Sequence, residues 1–90
     1  MPYIPKNDRA EYRELVQELA RRVPDDRTLR PGHLNYVITS LLREAFGKEI
    51  RYADHNEIQG ILSCVAAEYY RRSTVPYEDE KIKVEGDLDE

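Results

Sequence analysis

Residues Asp54 to Thr74, DHNEIQGILSCVAAEYYRRST, decide how the rest of this chain can fold. Ile58, Ile61, Leu62, Val65 and Tyr69 recur at the three-and-four spacing of one helical face, and no proline interrupts the run. The stretch therefore reads as a helix over 54–74. Asp54 stands where it can cap the first backbone donors, and Glu57, three residues on, can complete a capping box. Arg71 and Arg72 then fall in the last turn, where positive charge suits the helix dipole. With a rise of about 1.5 Å per residue, such a helix is roughly 30 Å long, enough to cross a small domain.

Its opposite face carries Gly60, Cys64 and Ala67 at helical spacing, with almost no side-chain bulk. A second helix can come close there, from this chain or from another subunit. Glycine costs about 1 kcal/mol against alanine inside a helix, a cost that close backbone approach offsets. These three residues are the candidate oligomer interface. A tolerated surface glycine is the plain alternative.

Outward from this stretch, the spacing predicts two further helices. Asn7 or Asp8 can cap one over 8–23, with Tyr12, Leu15, Val16, Leu19 and Val23 on one face and Pro24 as its stop. The segment PDDRTLRPG is a loop by composition. A helix over 33–46 follows, with Leu34, Val37, Ile38, Leu41, Leu42 and Ala45 apolar and Gly47 as terminator. Pro2 and Pro5 hold Tyr3 and Ile4 in an extended N-terminal arm that cannot begin a helix. After Thr74, Val75-Pro76-Tyr77 reads as a turn. Ile82 and Val84 alternate with charge, so 80–84 reads as an edge strand or an extended segment. Residues 85–90 form an acidic tail with little expected order. The fold class is all-α: a three-helix domain over 1–84 with an arm and a tail, assembled as a homo-oligomer because ninety residues support only one modest core.

The net charge of −4 is unevenly placed. Residues 77 to 90 hold seven acids and two lysines, whereas residues 1 to 76 hold eleven acids and twelve bases. A nearly neutral body argues against a broad DNA or RNA footprint. It leaves room for a small anion held by a few arginines. No apolar run reaches membrane-spanning length and the first residues lack a signal-peptide core, so the expected location is the cytoplasm. Cys64, the one cysteine, with His33 and His55 makes neither a disulfide nor a plausible zinc site, and no metal or cofactor is expected.

The strong short catalytic motifs are absent: no glycine-rich phosphate loop, CxxC pair, HExxH or GxSxG. Cys64 and His55 lie nine residues apart on one helix, about 13 Å along its axis, too far to act as nucleophile and base within one chain. The expectation is therefore no enzyme. Binding has more to draw on, since the chain has seven tyrosines, one phenylalanine and no tryptophan. Tyr36, Thr39 and Arg43 share one side of the second helix beside Asn35, as a ligand stripe or as a solvated face. Tyr12 and Tyr69 fall on core faces. Tyr69-Tyr70-Arg71-Arg72 and Pro76-Tyr77-Glu78-Asp79 combine rings that stack on bases with guanidinium forks that match phosphate. Dipole compensation, or pairing of the arginines with Glu78, Asp79 or Glu80, explains the same residues.

The chain resembles a family of small phage and bacterial proteins. The shared features are Pro2-Tyr3-Ile4-Pro5, Leu34-Asn35-Tyr36 with Ile38-Thr39, and Asn56-Glu57 with Gly60 and Cys64. Tyr70-Arg71-Arg72 and Pro76-Tyr77-Glu78-Asp79-Glu80-Lys81-Ile82 with Gly86-Asp87 complete the set. Through that family it is similar to the anti-CBASS sponges of phages, oligomers that sequester the cyclic nucleotides used by bacteria as antiviral alarm signals. The resemblance implies a helical homo-oligomer such as a tetramer, in the host cytoplasm if phage-encoded. It also implies cyclic dinucleotide pockets near subunit boundaries and no turnover. The ligand-binding positions it implies are Asn35, Tyr36, Thr39, Arg71, Arg72 and Tyr77, with Tyr3 closing the pocket from its arm. The alternative is a protein-interaction or structural module with no small-molecule ligand. The acidic ending Asp87-Leu88-Asp89-Glu90 departs from the shared pattern and bears only on the tail.

Overall fold

The computed structural model describes residues 3–89 and is all-α. Helix α1 spans Lys6–Arg22 and α2 spans Arg30–Phe46. Helix α3 spans Tyr52–Tyr69, a π-helical segment covers Tyr70–Thr74, and α4 spans Val75–Glu85. Two compact units result, Met1–Arg51 with α1 and α2, and Tyr52–Glu90 with α3, the π segment and α4.

The first unit begins with Pro5 in extended backbone at φ −58° and ψ 150°, and Arg9 Nε donates to the Ile4 carbonyl at 3.2 Å. Helix α1 starts at Lys6, so Asn7 and Asp8 lie inside its first turn, and no side-chain cap bond forms there. The expected cap is corrected accordingly: Pro5 already supplies the break before the helix. Met1 and Pro2 of the expected arm, like Glu90 of the expected tail, lie outside the described residues.

Asp26 organises the turn into α2. Its carboxylate accepts from the Thr28 backbone N–H at 2.8 Å and the Thr28 hydroxyl at 2.7 Å, while its carbonyl accepts from Arg30 N–H at 2.8 Å. The hydroxyl and then the amide of Thr28 hold the Asp26 carboxyl below its ordinary range. The turn delivers Pro31 into the first turn of α2, where a missing N–H breaks no helical bond. Helix α2 therefore begins at Arg30, three residues ahead of expectation. It stops at Gly47, whose φ of +79° is open to glycine at little cost.

In the second unit the helical backbone does not stop at Thr74. The turn expected at Val75-Pro76-Tyr77 and the strand or extended segment expected at 80–84 are both overturned, because Val75–Glu85 is α-helix ending at Gly86 with φ +91°. The reason lies in Pro76. A proline inside an α-helix removes one backbone bond and presses its ring against the carbonyl four residues back. Here the preceding turn widens: Val75 N–H bonds to the Tyr70 carbonyl, five residues back, while Tyr69, Thr74 and Val75 keep right-handed helical dihedrals. The widened turn absorbs the proline and the helix goes on. Asp54 accordingly sits in the first turn of α3 and not ahead of it, and Arg71 and Arg72 stand in the middle of the run and not at its end.

No described residue of either unit is buried. The apolar stripes are largely open, with Val16 61% exposed on α1, Leu41 62% on α2 and Val65 56% on α3, while Val37, Leu42, Ile58 and Leu62 are half-buried. Tyr12 and Tyr69, expected against a core, are exposed as well. The cause is visible in the second unit, which is one run of helix with no second element of its own to lie against the Ile58, Ile61, Leu62 and Val65 face. No helix among the described residues is long and apolar enough to cross a membrane.

Pro76→Ala restores an amide to the helix and removes the need for the wide turn. We expect a higher thermal midpoint and a stronger helical signal by circular dichroism. The gain stays below the roughly 3 kcal/mol that an unrelieved helix proline costs. A lower midpoint overturns this account of the π segment.

Candidate functional site

Four of the sequence-predicted residues lie in the first unit. The second turn of α2 brings Asn35, Tyr36 and Thr39 together in one surface groove with Pro31, Gly32, Ser40 and Arg43, a space of about 540 Å³ open to solvent. Their spacing explains this, since residues three and four apart stack on one helical face. The Thr39 hydroxyl donates to Asn35 Oδ1 at 3.3 Å, which orients the amide, and the Tyr36 ring is 73% exposed. Arg43 closes the groove toward the C-terminal end and also lines a second one of about 510 Å³ with Ser40, Glu44, Gly47, Lys48 and Ile50. Among the described residues no acid pairs with the Arg43 side chain. A cation, a ring, an amide and a hydroxyl thus share one face, a set chemically able to hold an anion, stack on a flat ring and exchange hydrogen bonds. Tyr3, 45% exposed, precedes α1 in the same unit but does not line this groove.

The remaining three lie in the second unit and separate into two environments. Arg71 donates to both oxygens of Glu68 at 3.0 and 3.1 Å, and Arg72 Nε donates to Glu68 Oε2 at 3.2 Å. The same arrangement recurs on α1, where Glu18 accepts from Arg21 and from Arg22 at the same intervals, and these arginines, Arg21 foremost, hold the Glu18 carboxyl below its usual range. A pattern that appears twice on helices reads first as local charge pairing. Glu80 takes Lys83 at 3.1 Å.

Tyr77 lies in a different groove of the same unit, about 610 Å³, with Tyr70, Val75, Ile82 and Leu88 as its apolar lining and Glu78, Asp79, Glu85 and Asp87 as its acids. Lys81 Nζ stands 5.9 Å from the centre of the Tyr77 ring. That lining repels phosphate, so Tyr77 and the arginines do not form one anion site here. Eight residues in a regular α-helix place two side chains about 80° apart around the axis. The wide turn takes up part of that offset, and the Tyr70 hydroxyl reaches Glu78 Oε1 at 3.1 Å. The bond to the Glu78 carboxylate, together with its charge, raises the Tyr70 phenol above its ordinary value.

Gly60, Cys64 and Ala67 are exposed on α3, and a Cβ built on Gly60 meets nothing within 4 Å. The small face is open to approach, with no partner in its own unit. No cluster of three or more metal-ligating side chains occurs among the described residues. Arg43, Ser40, Pro31 and Gly32 complete the α2 groove beyond the residues singled out from the family resemblance. Arg43 was visible in the sequence as the end of the polar stripe, whereas Pro31 and Gly32 enter only because α2 starts earlier than its apolar spacing shows.

The chain belongs to a family described as a domain of unknown function (DUF6899), whose family model matches residues 1–88. No curated protein and no solved structure matches it.

The Tyr70–Glu78 bond carries a pH signature. Because the folded phenol titrates above its unfolded value near 10, the bond contributes fully below that pH and is lost as pH rises through the folded value. By phenolate absorbance, Tyr70 should give a late-ionising component that vanishes in Tyr70→Phe and moves earlier in Glu78→Gln. A late component that survives Tyr70→Phe removes the assignment.

Proposed function

We propose that this member of the family is a non-catalytic sponge: a helical homo-oligomer that captures a cyclic dinucleotide and withholds it from host antiviral signalling. The observation that supports it most is the α2 groove, where Arg43 lacks an acid partner among the described residues and shares a face with Tyr36, Asn35 and Thr39. The guanidinium matches a phosphate, the exposed ring offers a stacking surface, and the amide and hydroxyl read a base edge. A space of about 540 Å³ falls within the size range of ligand sites, but it is open. Enclosure has to come from another copy, and this fits the exposed apolar stripes on every long helix and the bare Gly60, Cys64 and Ala67 face. Arg71 and Arg72 rank behind Arg43, since they reach phosphate only by releasing Glu68. Tyr77 belongs to the assembly more than to an anion site, and Tyr3 serves as a closing residue from a neighbouring arm.

A protein-interaction module is the second reading, favoured by the exposure of Tyr36, Tyr52, Tyr69 and Tyr77, a residue type common at interface hot spots. One stoichiometric protein partner, recovered by a chain that ignores nucleotides, distinguishes it.

Calorimetry with cyclic di- and trinucleotides tests the proposal. We expect saturable heat with at least one cyclic dinucleotide and recovery of that ligand intact after heat denaturation. Arg43→Ala should weaken binding by about 1.5 to 3 kcal/mol, the range for a charge-assisted hydrogen bond, and more than Arg71→Ala or Arg72→Ala does. No heat with any member of the panel, from protein shown to be oligomeric, overturns it.

A further inference from the structure

The two units carry opposite charge. Met1–Arg51 holds ten lysines and arginines against eight acids, and Tyr52–Glu90 holds four against ten, so the first is +2 and the second −6, which together make the −4 of the chain. Part of each charge lies on a surface of defined chemistry.

In the first unit, Lys6, Arg9 and Arg13 recur at helical spacing and form one basic stripe on the first half of α1, beside Tyr12 and Val16 and just after Tyr3 and Ile4. None of the three cations is paired with an acid among the described residues. Lys6 and Arg9 also stand at the positive end of the helix dipole, where basic charge is unfavourable, so helix stability does not explain them. In the second unit the groove on α4 has Val75, Ile82, Leu88 and the Tyr70 and Tyr77 rings in its lining. Asp79 and Glu85 line it without an ion pair among the described residues.

We infer that the α4 groove of one copy receives the N-terminal segment of a second copy, residues 3–13. Ile4 and Tyr12 meet the apolar lining, and Lys6, Arg9 and Arg13 meet Asp79 and Glu85. This deepens the oligomeric part of the function proposed above and rests on it. The contact joins unlike patches, so it is heterologous, and it closes into a ring where its rotation allows and extends as a filament where it does not. Opposite charges fix the register and direction of docking, and the apolar residues supply the buried area. Pro5 stiffens the segment before it docks, which reduces the entropy lost on binding. The same contact carries Tyr3 to a neighbouring copy.

Two experiments test it. Equal amounts of nitrogen-14 and nitrogen-15 protein are mixed, exchanged through denaturant, refolded and shown to be oligomeric by light scattering. A zero-length carbodiimide cross-linker is then applied. We expect peptides joining Lys6 to Asp79 or Glu85, with light-heavy pairs in the statistical proportion. Same-isotope pairs alone, or no Lys6 link to either acid, overturn this contact while leaving the oligomer intact. A single-chain mass at high concentration overturns the oligomer as well. In the second experiment, the charge-reversed chains K6E/R9E/R13E and D79K/E85K are each expected to dissociate at a concentration at least tenfold higher than the parent. Their equimolar mixture should recover assembly, since each reversed surface then meets its complement. If only the chain carrying all five substitutions recovers, the segment docks on its own copy and the inference fails.

Discussion

The apolar stripes of α1, α2 and α3 have to leave water, and neither unit contains enough structure to cover them. This constraint governs the rest of the molecule. Val16, Leu41 and Val65 belong to these stripes and are all more than half exposed. Burying a side chain of that size is worth about 1.5 to 3 kcal/mol, so several such stripes left open forgo most of the driving force available to a chain of this length. The second unit shows the problem in its barest form, since a single run of helix cannot make a core with itself. In the assembly proposed above, further copies relieve the constraint and enclose the open groove on α2.

Pro76 is the second determinant. Had it ended the helix, Tyr77 to Glu85 would have been a loose acidic segment. The wide turn at Tyr70–Thr74 instead carries the helix through the proline and brings Tyr70 and Glu78 within hydrogen-bonding distance. It also turns Tyr70, Tyr77 and Ile82 toward one groove, and so creates a surface with both apolar lining and acidic charge. Local backbone geometry thereby decides the chemistry of a whole face.

Charge is distributed in the same spirit. Glu18 with Arg21 and Arg22, and Glu68 with Arg71 and Arg72, neutralise much of their own surroundings on the helix that carries them. Exposed pairs of this kind add little stability, but they remove four arginines from competition for other partners. Among the groups with no ion pair on the described surface are Arg43 on α2, the stripe of Lys6, Arg9 and Arg13 on α1, and Asp79 and Glu85 on α4. The proposed ligand capture and assembly draw on these groups.

The sequence by itself determined the helical class, the three apolar stripes, the terminator Gly47 and the joint face of Asn35, Tyr36, Thr39 and Arg43, because spacing along a helix maps directly onto one face of it. It also held a signature for α4, with Pro76 near the start, acids early, Lys83 late and Gly86 just past the end. The alternation of Ile82 and Val84 obscured that signature, since over five residues a two-residue period and a helical one are hard to tell apart. Only the tertiary structure decided that Pro76 is absorbed by a widened turn, that Glu68 holds both arginines, and that Tyr77 faces acids. Those outcomes depend on which backbone and side-chain groups arrive within about 3 Å of one another, a distance that residue spacing along a chain does not specify.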